Sequence, residues 1–174
     1  MKTIGVISDT HGLVRPEALN ALRGTDLILH AGDIGAPEVL ERLRLIADVV
    51  AIKGNNDRDG WARKIPDTLE VKPEGVGIYL IHNVRDLAID PAAAGYRVVV
   101  SGHSHMPSIR EESGVIYLNP GSAGPRRFKL PISVARLQID RQSVRTEIIS
   151  LDVSAAPKKS LTSRKPRHIK NSAF

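Results

Sequence analysis

The sequence predicts an α/β protein of two packed sheets flanked by helices, and three observations carry that reading. Residues 3–57 run through three successive units in which an apolar strand stops at a polar cluster and a connecting segment follows. From Thr68 onward the apolar runs come closer together and alternate, as strands of a sandwich do. A chain of 174 residues with 41% hydrophobic content buries one good core and is too short for two comfortable ones, so a single domain is expected.

The opening strand, Thr3-Ile4-Gly5-Val6-Ile7-Ser8, is a short β-branched run that delivers Asp9-Thr10-His11-Gly12 at its carboxyl end, where ligand chemistry collects in α/β sheets. Residues i and i+2 project the same way in extended chain, so Asp9 and His11 can grip one ion between them. Turn formation is the commoner role for this pair taken alone. A short helix over 16–23 has Pro16 in its first turn and Gly24 just past its end. The strand over 26–30 stops at Ala31-Gly32-Asp33, which places a second carboxylate as Asp9 is placed. Over 37–46, Val39, Leu40, Leu43 and Ile46 recur at helical spacing with Glu41, Arg42 and Arg44 elsewhere, an amphipathic helix covering the sheet. A third strand over 48–53 ends in Gly54-Asn55-Asn56-Asp57, and the repetition favours a parallel sheet with right-handed crossovers. Further strands are expected over 68–71, 77–81, 97–100, 115–118, 132–139 and 143–149, with one helix-like stretch around 86–94. Leu137 with Ile139, and Val144 with Ile148, alternate in sandwich fashion, and no repeat of solenoid length occurs.

The chain has no cysteine, which excludes disulfides, thiolate metal sites and cysteine nucleophiles and leaves oxygen and imidazole as metal donors. No apolar run approaches the roughly 20 residues that cross a bilayer, and the amino terminus enters a strand with no secretory pattern. A soluble, unprocessed, cytoplasmic protein without membrane contact is expected. The net charge of +6 resembles a nucleic-acid signature until it is located. Lys158, Lys159, Arg164, Lys165, Arg167 and Lys170 against Asp152 put +5 of it in residues 151–174 and leave +1 for the rest. The expected division is therefore a nearly neutral domain over 1–152 and a basic, disordered tail over 153–174.

Three further polar clusters end later strands: His82, then Gly102-His103-Ser104-His105, then Asn119-Pro120-Gly121-Ser122. A lone strand-end histidine is more often a satisfied core or turn residue. Two imidazoles at i and i+2 after a Gly turn can instead reach two adjacent ions or chelate one. In order, Asp-x-His, Gly-Asp, Gly-Asn, His and Gly-His-x-His resemble the calcineurin-like metallophosphoesterase superfamily. The match is closest to its small bacterial and archaeal phosphodiesterase branch, which also carries Asn-Pro-Gly-Ser. The resemblance covers roughly residues 3–150 and implies a four-layer α-β-β-α sandwich, the metallo-dependent phosphatase fold, with two divalent metal ions at the sheet edge. It implies that Asp9, His11, Asp33 and His105 hold one ion and that Asp33, Asn55, His82 and His103 hold the other. Asp33 then bridges the two, and Asp33, Asn55 and His82 are the catalytic residues.

Charge arithmetic supports such a site, since two divalent ions against Asp9 and Asp33 leave an excess of about two positive charges, enough to attract phosphate and to help water ionise near neutral pH. Oxygen and imidazole donors suit manganese, with iron, zinc or nickel as alternatives, better than calcium. The implied activity is hydrolysis of a small phosphodiester by metal-activated water. A phosphomonoesterase and a non-catalytic interaction scaffold, the role of a eukaryotic retromer subunit of this fold, are the alternatives. A near-neutral core argues against extended nucleic acid, and a homo-oligomer is left open.

Two positions depart from the family pattern. Asn56 stands where many members have a His that protonates the leaving group, which shifts the expectation toward good leaving groups or a proton from solvent. Asn83-Val84 follows His82 where Gly and His are usual, and Asn is expected to keep the turn because it tolerates positive φ. Four other positions each have two readings: His30 orients a ligand or fills the core, Arg126 and Arg127 contact phosphate or solvent, and Trp61 walls the pocket or packs. Asp57 is expected to fix its own loop through backbone hydrogen bonds.

Overall fold

Lys2–Ile7 (β1) owes its burial on both faces to its unbroken apolar run, and in the computed structural model, which describes residues 1–153, it is the middle strand of its sheet. Leu27–His30 (β2) and Asp48–Ala51 (β3) lie parallel to it on one side, with Ile4 opposite Leu27 and Ile28 opposite Val49. Ser133–Asp140 (β9) and Ser143–Ser150 (β10) complete the sheet antiparallel on the other side, in the order β10-β9-β1-β2-β3. The crossovers carry helices Pro16–Ala21 (α1) and Pro37–Arg44 (α2), each opened by Pro at its first positions, where the missing N–H is no loss. Leu22, Val39, Leu40 and Leu43 from this layer pack on Ile7, Ile28 and Val134 of the sheet.

The second sheet has the order β4-β5-β6-β8-β7, built from Thr68–Val71 (β4), Gly77–Ile81 (β5), Tyr96–Val100 (β6), Ser108–Glu112 (β7) and Val115–Asn119 (β8). Its three central strands are parallel and its edges antiparallel. The two sheets meet through Ile4, Val6, Leu29, Ile78, Leu80, Val98, Val100, Leu118 and Leu137, all fully buried. Truncating one of these leucines to Ala costs about 2–5 kcal/mol by transfer and cavity terms. The expected fold class is therefore present as a single domain of two mixed sheets with few helices.

Two local expectations are corrected. No α-helix spans 86–94; the outer face of the second sheet is covered by a one-turn 3-10 helix, Val84–Asp86, and the loop after it. The reason lies in Asp90-Pro91 and Gly95. Asp90 Oδ1 accepts from the N–H groups of Ala92 and Ala93, at 3.0 and 3.1 Å, and opens a turn. Gly95, at φ 81°, closes it at once, with Tyr96 N–H donating to Pro91 O and Gly95 N–H to Ala92 O. Strand β7 was not expected, because Ser-Ile-Arg-Glu-Glu is exposed throughout and lacks an alternating apolar face. It is an edge strand, returned to β8 by a two-residue turn whose Ser113 and Gly114 both have positive φ. The expected basic tail over 153–174 lies, apart from Val153, outside the described residues. Among the described residues no helix is long and apolar enough to cross a membrane.

Candidate metal centre

All seven expected donors stand beyond the carboxyl ends of parallel strands. Asp9 and His11 follow β1, Asp33 follows β2 and Asn55 follows β3 in the first sheet; His82 follows β5, and His103 and His105 follow β6, in the second. The loops prolong the strand pairing: Asp9 N–H donates to Gly32 O at 3.0 Å, His11 N–H to Asp33 O at 2.9 Å and Gly102 N–H to His82 O at 2.9 Å. Asp9, His11, Asp33, His103 and His105 nevertheless all have positive φ, between 46° and 66°, a region that costs a residue with a Cβ of order 1–3 kcal/mol. Five such residues in the loops of the two sheets mark a conformation that the surroundings hold for its side chains.

The donors form two neighbourhoods joined through the carboxylates. In the first, His105 Nε2 lies 3.2 Å from Asp9 Oδ1 and His11 Nε2 lies 4.0 Å from it, while the two Nε2 atoms face each other at 3.3 Å. His11 Nε2 is also 3.8 Å from Asp33 Oδ2. In the second, His82 Nε2 is 3.5 Å from Asp33 Oδ2, and His103 Nδ1 is 3.0 Å from Asn55 Oδ1. Asp9, His11 and His105, and again Asp9, Asp33 and His82, are close enough to share an ion. Asp9 Oδ1 and His82 Nε2 are buried with no hydrogen-bond partner. Buried polar atoms are almost always satisfied, so these two converging, unpartnered donors fit a cation better than they fit the protein alone.

The surrounding residues fix the donors. His82 Nδ1 contacts Ala31 O at 2.7 Å, which keeps that nitrogen protonated and turns Nε2 toward Asp33. Ser8 Oγ and the His103 N–H both donate to Asp9 Oδ2, at 2.7 and 3.0 Å. A Cβ on Gly102 would collide with Ser8 Oγ, and one on Gly54 with the Asp33 carboxylate, so only glycine lets these loops approach. Asn56 is more than a missing acid: its N–H donates to Asp33 Oδ1 at 2.9 Å and its amide to Oδ2 at 2.6 Å. Asp57 fixes its own loop as expected, by accepting from Gly54 N–H at 2.8 Å, and also takes Ile34 and Gly35 N–H of the neighbouring ligand loop, at 3.0 and 2.8 Å. Asn119 donates to Gly102 O at 2.7 Å and Ser122 Oγ to Asp9 O at 2.9 Å, which gives the Asn-Pro-Gly-Ser segment its purpose. Nothing in the sequence singled out Ser8.

The positions with two readings divide as follows. His30 is fully buried, accepts from Gly32 N–H on Nδ1 at 3.2 Å and therefore donates from Nε2 to Thr10 Oγ1 at 3.0 Å, a satisfied core histidine. Trp61 packs against the helix-side core. Arg127 Nη2 reaches 3.5 Å from His11 Nε2, whereas Arg126 turns away to Leu130 O. Asn83 needs no positive φ: at φ −110° and ψ 113° it is extended, and its side chain accepts from Arg85 N–H to cap the following turn.

Electrostatics follow the contacts. Burial pushes the Asp33 carboxyl up, but the His82 ring and the two Asn56 donors outweigh it and hold it well below the ordinary carboxylate range. Burial pushes His82 down, and Asp33 with the Ala31 carbonyl reverses that, so its pKa is raised. His11 is lowered, by burial first and by Arg127 and His105 besides, against the pull of Asp33 and Asp9.

A family model described as calcineurin-like phosphoesterase superfamily domain matches residues 1–142. A probable metallophosphoesterase of Methanothermobacter thermautotrophicus is 39% identical over 158 residues, covering 84% of this chain and 91% of that protein. A phosphodiesterase of Methanocaldococcus jannaschii is 26% identical over 137 residues, covering 68% of this chain and 82% of its own. Among solved structures, Vps29 of Chaetomium thermophilum is similar with a TM-score of 0.69 at 17% identity, covering 86% of this chain and 96% of that one, a likeness of fold alone. The matched stretch contains every ligand loop described above, and this chain belongs to the calcineurin-like phosphoesterase superfamily as a metal-binding phosphoester hydrolase.

Proposed function

We propose that the chain is a dimetal phosphodiesterase, with Asp9, His11, Asp33 and His105 holding one divalent ion and Asp33, Asn55, His82 and His103 the other. The observation that supports this most is the position of Asp33, whose carboxylate lies between His11 Nε2 at 3.8 Å and His82 Nε2 at 3.5 Å and so belongs to both neighbourhoods. The donor set of carboxylate, amide and imidazole favours manganese, with iron, zinc or nickel as alternatives. When bound, such ions polarise phosphoryl oxygens and bring the pKa of water toward about 7.

The chain's own residues supply alignment and charge. Asn56 and Asp57 hold the loops after β2 and β3 against each other, so that Asp33 meets its ligands already ionised and oriented. Arg127 stands where it can donate to a phosphoryl oxygen beside His11. Asn56 cannot protonate a leaving group, so esters whose alcohol leaves as a stable anion are the better substrates. A diester presents two arms, and two cavities meet at His103. The one of about 400 Å3 between Lys53, Asn55, Thr68 and His82 has room for one arm.

The test compares metal-stripped and manganese-loaded protein on bis(p-nitrophenyl) phosphate and on p-nitrophenyl phosphate. Turnover of the diester only with metal is expected. Faster turnover of the monoester would replace the reading with a phosphomonoesterase, and absence of both with weak metal binding would favour a scaffold. Seven competent donors speak against the scaffold, for which nothing would need to hold five residues in left-handed backbone.

A further inference from the structure

The second cavity, of about 350 Å3, opens on the other side of His103 and shares that residue and Asn83 with the first. The two differ in charge. Lys53 in the first is accompanied by Asp67 and Asp86, and Asp67 pairs with it at 3.3 Å. The second is lined by Arg85, Arg110, Tyr117 and the hydroxyl residues Ser104 and Ser108, and by no carboxylate.

Its cationic wall is prepared by neighbouring groups. The Arg110 guanidinium carbon stands 3.9 Å from the centre of the Tyr117 ring, which fixes the plane of the fork. Glu112, which does not line the cavity, pairs with one Nη of Arg110 and leaves the remaining N–H groups to donate. Asn83 Oδ1 accepts from the Arg85 N–H at 3.2 Å and so fixes the turn that carries the second arginine. Two planar donors with hydroxyls, and no acid in the lining beyond the Glu112 that holds one Nη of Arg110 from outside, suit a phosphate oxygen cluster, which arginine recognises by paired hydrogen bonds.

Resting on the phosphodiesterase reading, we propose that this cavity is an anion subsite for the arm of the diester that carries a further phosphate. The substrate class is then a phosphodiester with a second phosphate on its retained arm, and Arg85 and Arg110 set that preference.

Two measurements on the full chain test it. The first compares, with manganese, kcat/KM for thymidine 3′-(p-nitrophenyl phosphate) with and without a 5′-phosphate. The phosphorylated substrate is expected to be preferred by about 10-fold or more, as charge-assisted hydrogen bonds allow. The double variant Arg85→Ala/Arg110→Ala is expected to bring that ratio to about one, and Arg145→Ala, on β10 and in the lining of neither cavity, to leave it in place. A ratio near one in the parent, or a ratio kept by the double variant, would overturn the subsite. The second measurement needs no metal: thymidine 3′,5′-bisphosphate is titrated in chelator and followed by backbone amide NMR. Shifts at Arg85, Ser104, Ser108 and Arg110, lost in the double variant, are expected, and shifts confined to residues 125–129 would refute the assignment. Binding in chelator without turnover of either diester would remove the phosphodiesterase reading and keep the subsite.

Discussion

At Asp33 burial and hydrogen bonding pull in opposite directions, and its charge survives because the His82 ring stands beside it and Asn56 donates to both carboxylate oxygens. Asp33→Asn keeps the shape and removes the charge that the proposed function shares between both ligand sets. Metal-dependent diester turnover should fall by at least about 100-fold, and a variant within threefold of its parent would take Asp33 out of the bridging position. Asn56→Ala tests the holding role separately: a titration with manganese should show affinity about 10- to 100-fold weaker, since an outer hydrogen-bond partner of a ligand is being lost. His30 sets a different limit. Burial holds its ring at about 4 against an ordinary 6.5, so between these values the unfolded chain binds the proton that the folded one refuses. This contribution to stability is therefore full above pH 6.5 and is lost as the pH falls toward 4. The shift corresponds to about 3 kcal/mol. Denaturant unfolding in chelator at pH 7 and pH 4.5 should show the parent losing about 2–3 kcal/mol more than His30→Gln, and equal losses would mean that the ring is protonated inside the fold.

At the scale of elements, the site is a set of strand ends, and strand ends are what the sequence displays best. An apolar run that breaks at Gly-Asp, Gly-Asn or Gly-His can be read without a structure because burial and chemistry demand opposite residues on either side of the break. Asp9, Asp33, Asn55 and the His103/His105 pair stand out as candidate donors for that reason, along with the three parallel units that carry Asp9, Asp33 and Asn55, whereas His82 joins the candidate set only through the family resemblance. Strand β7 was not, because an exposed edge obeys no hydrophobic period. The stretch 86–94 misled in the other direction. Its apolar spacing suits a helix, but Asp90-Pro91 and Gly95 leave room for only one turn. The left-handed backbone of five donors left no trace in composition, since a side chain with a Cβ is usually evidence against it. Asn119 is the element-level prediction that follows. It ends β8 and holds the loop after β6 through Gly102 O and Ser104 Oγ, at 2.7 and 3.1 Å. Asn119→Ala should raise amide exchange across residues 102–105 and weaken manganese binding by about 10-fold, with the amides of β1 and β2 unaffected. Uniform exchange over the whole sheet would instead show a general loss of stability.

For the molecule as a whole, the division of the donors between two sheets matters more than their number. Asp9, His11, Asp33 and Asn55 belong to the loops of one sheet, and His82, His103 and His105 to those of the other. The sheets already share an apolar core, but at the ligand edge that core gives way to two carboxylates and a ring of imidazoles with unpartnered buried atoms. A cation bound at that edge would join the sheets where the apolar contacts stop. Binding to the folded state alone stabilises by RT ln(1 + [L]/Kd), about 4 kcal/mol at a thousandfold excess over Kd. For a chain of this size about 4 kcal/mol corresponds to a rise in Tm of roughly 10 °C. Manganese at saturation should therefore raise the melting temperature by about that amount and chelator should reverse it. In Asp33→Asn, which loses the negative charge that the proposal shares between both ligand sets, the rise should fall to about half or less. A shift that persists in full in that variant would place the metal outside the edge between the sheets.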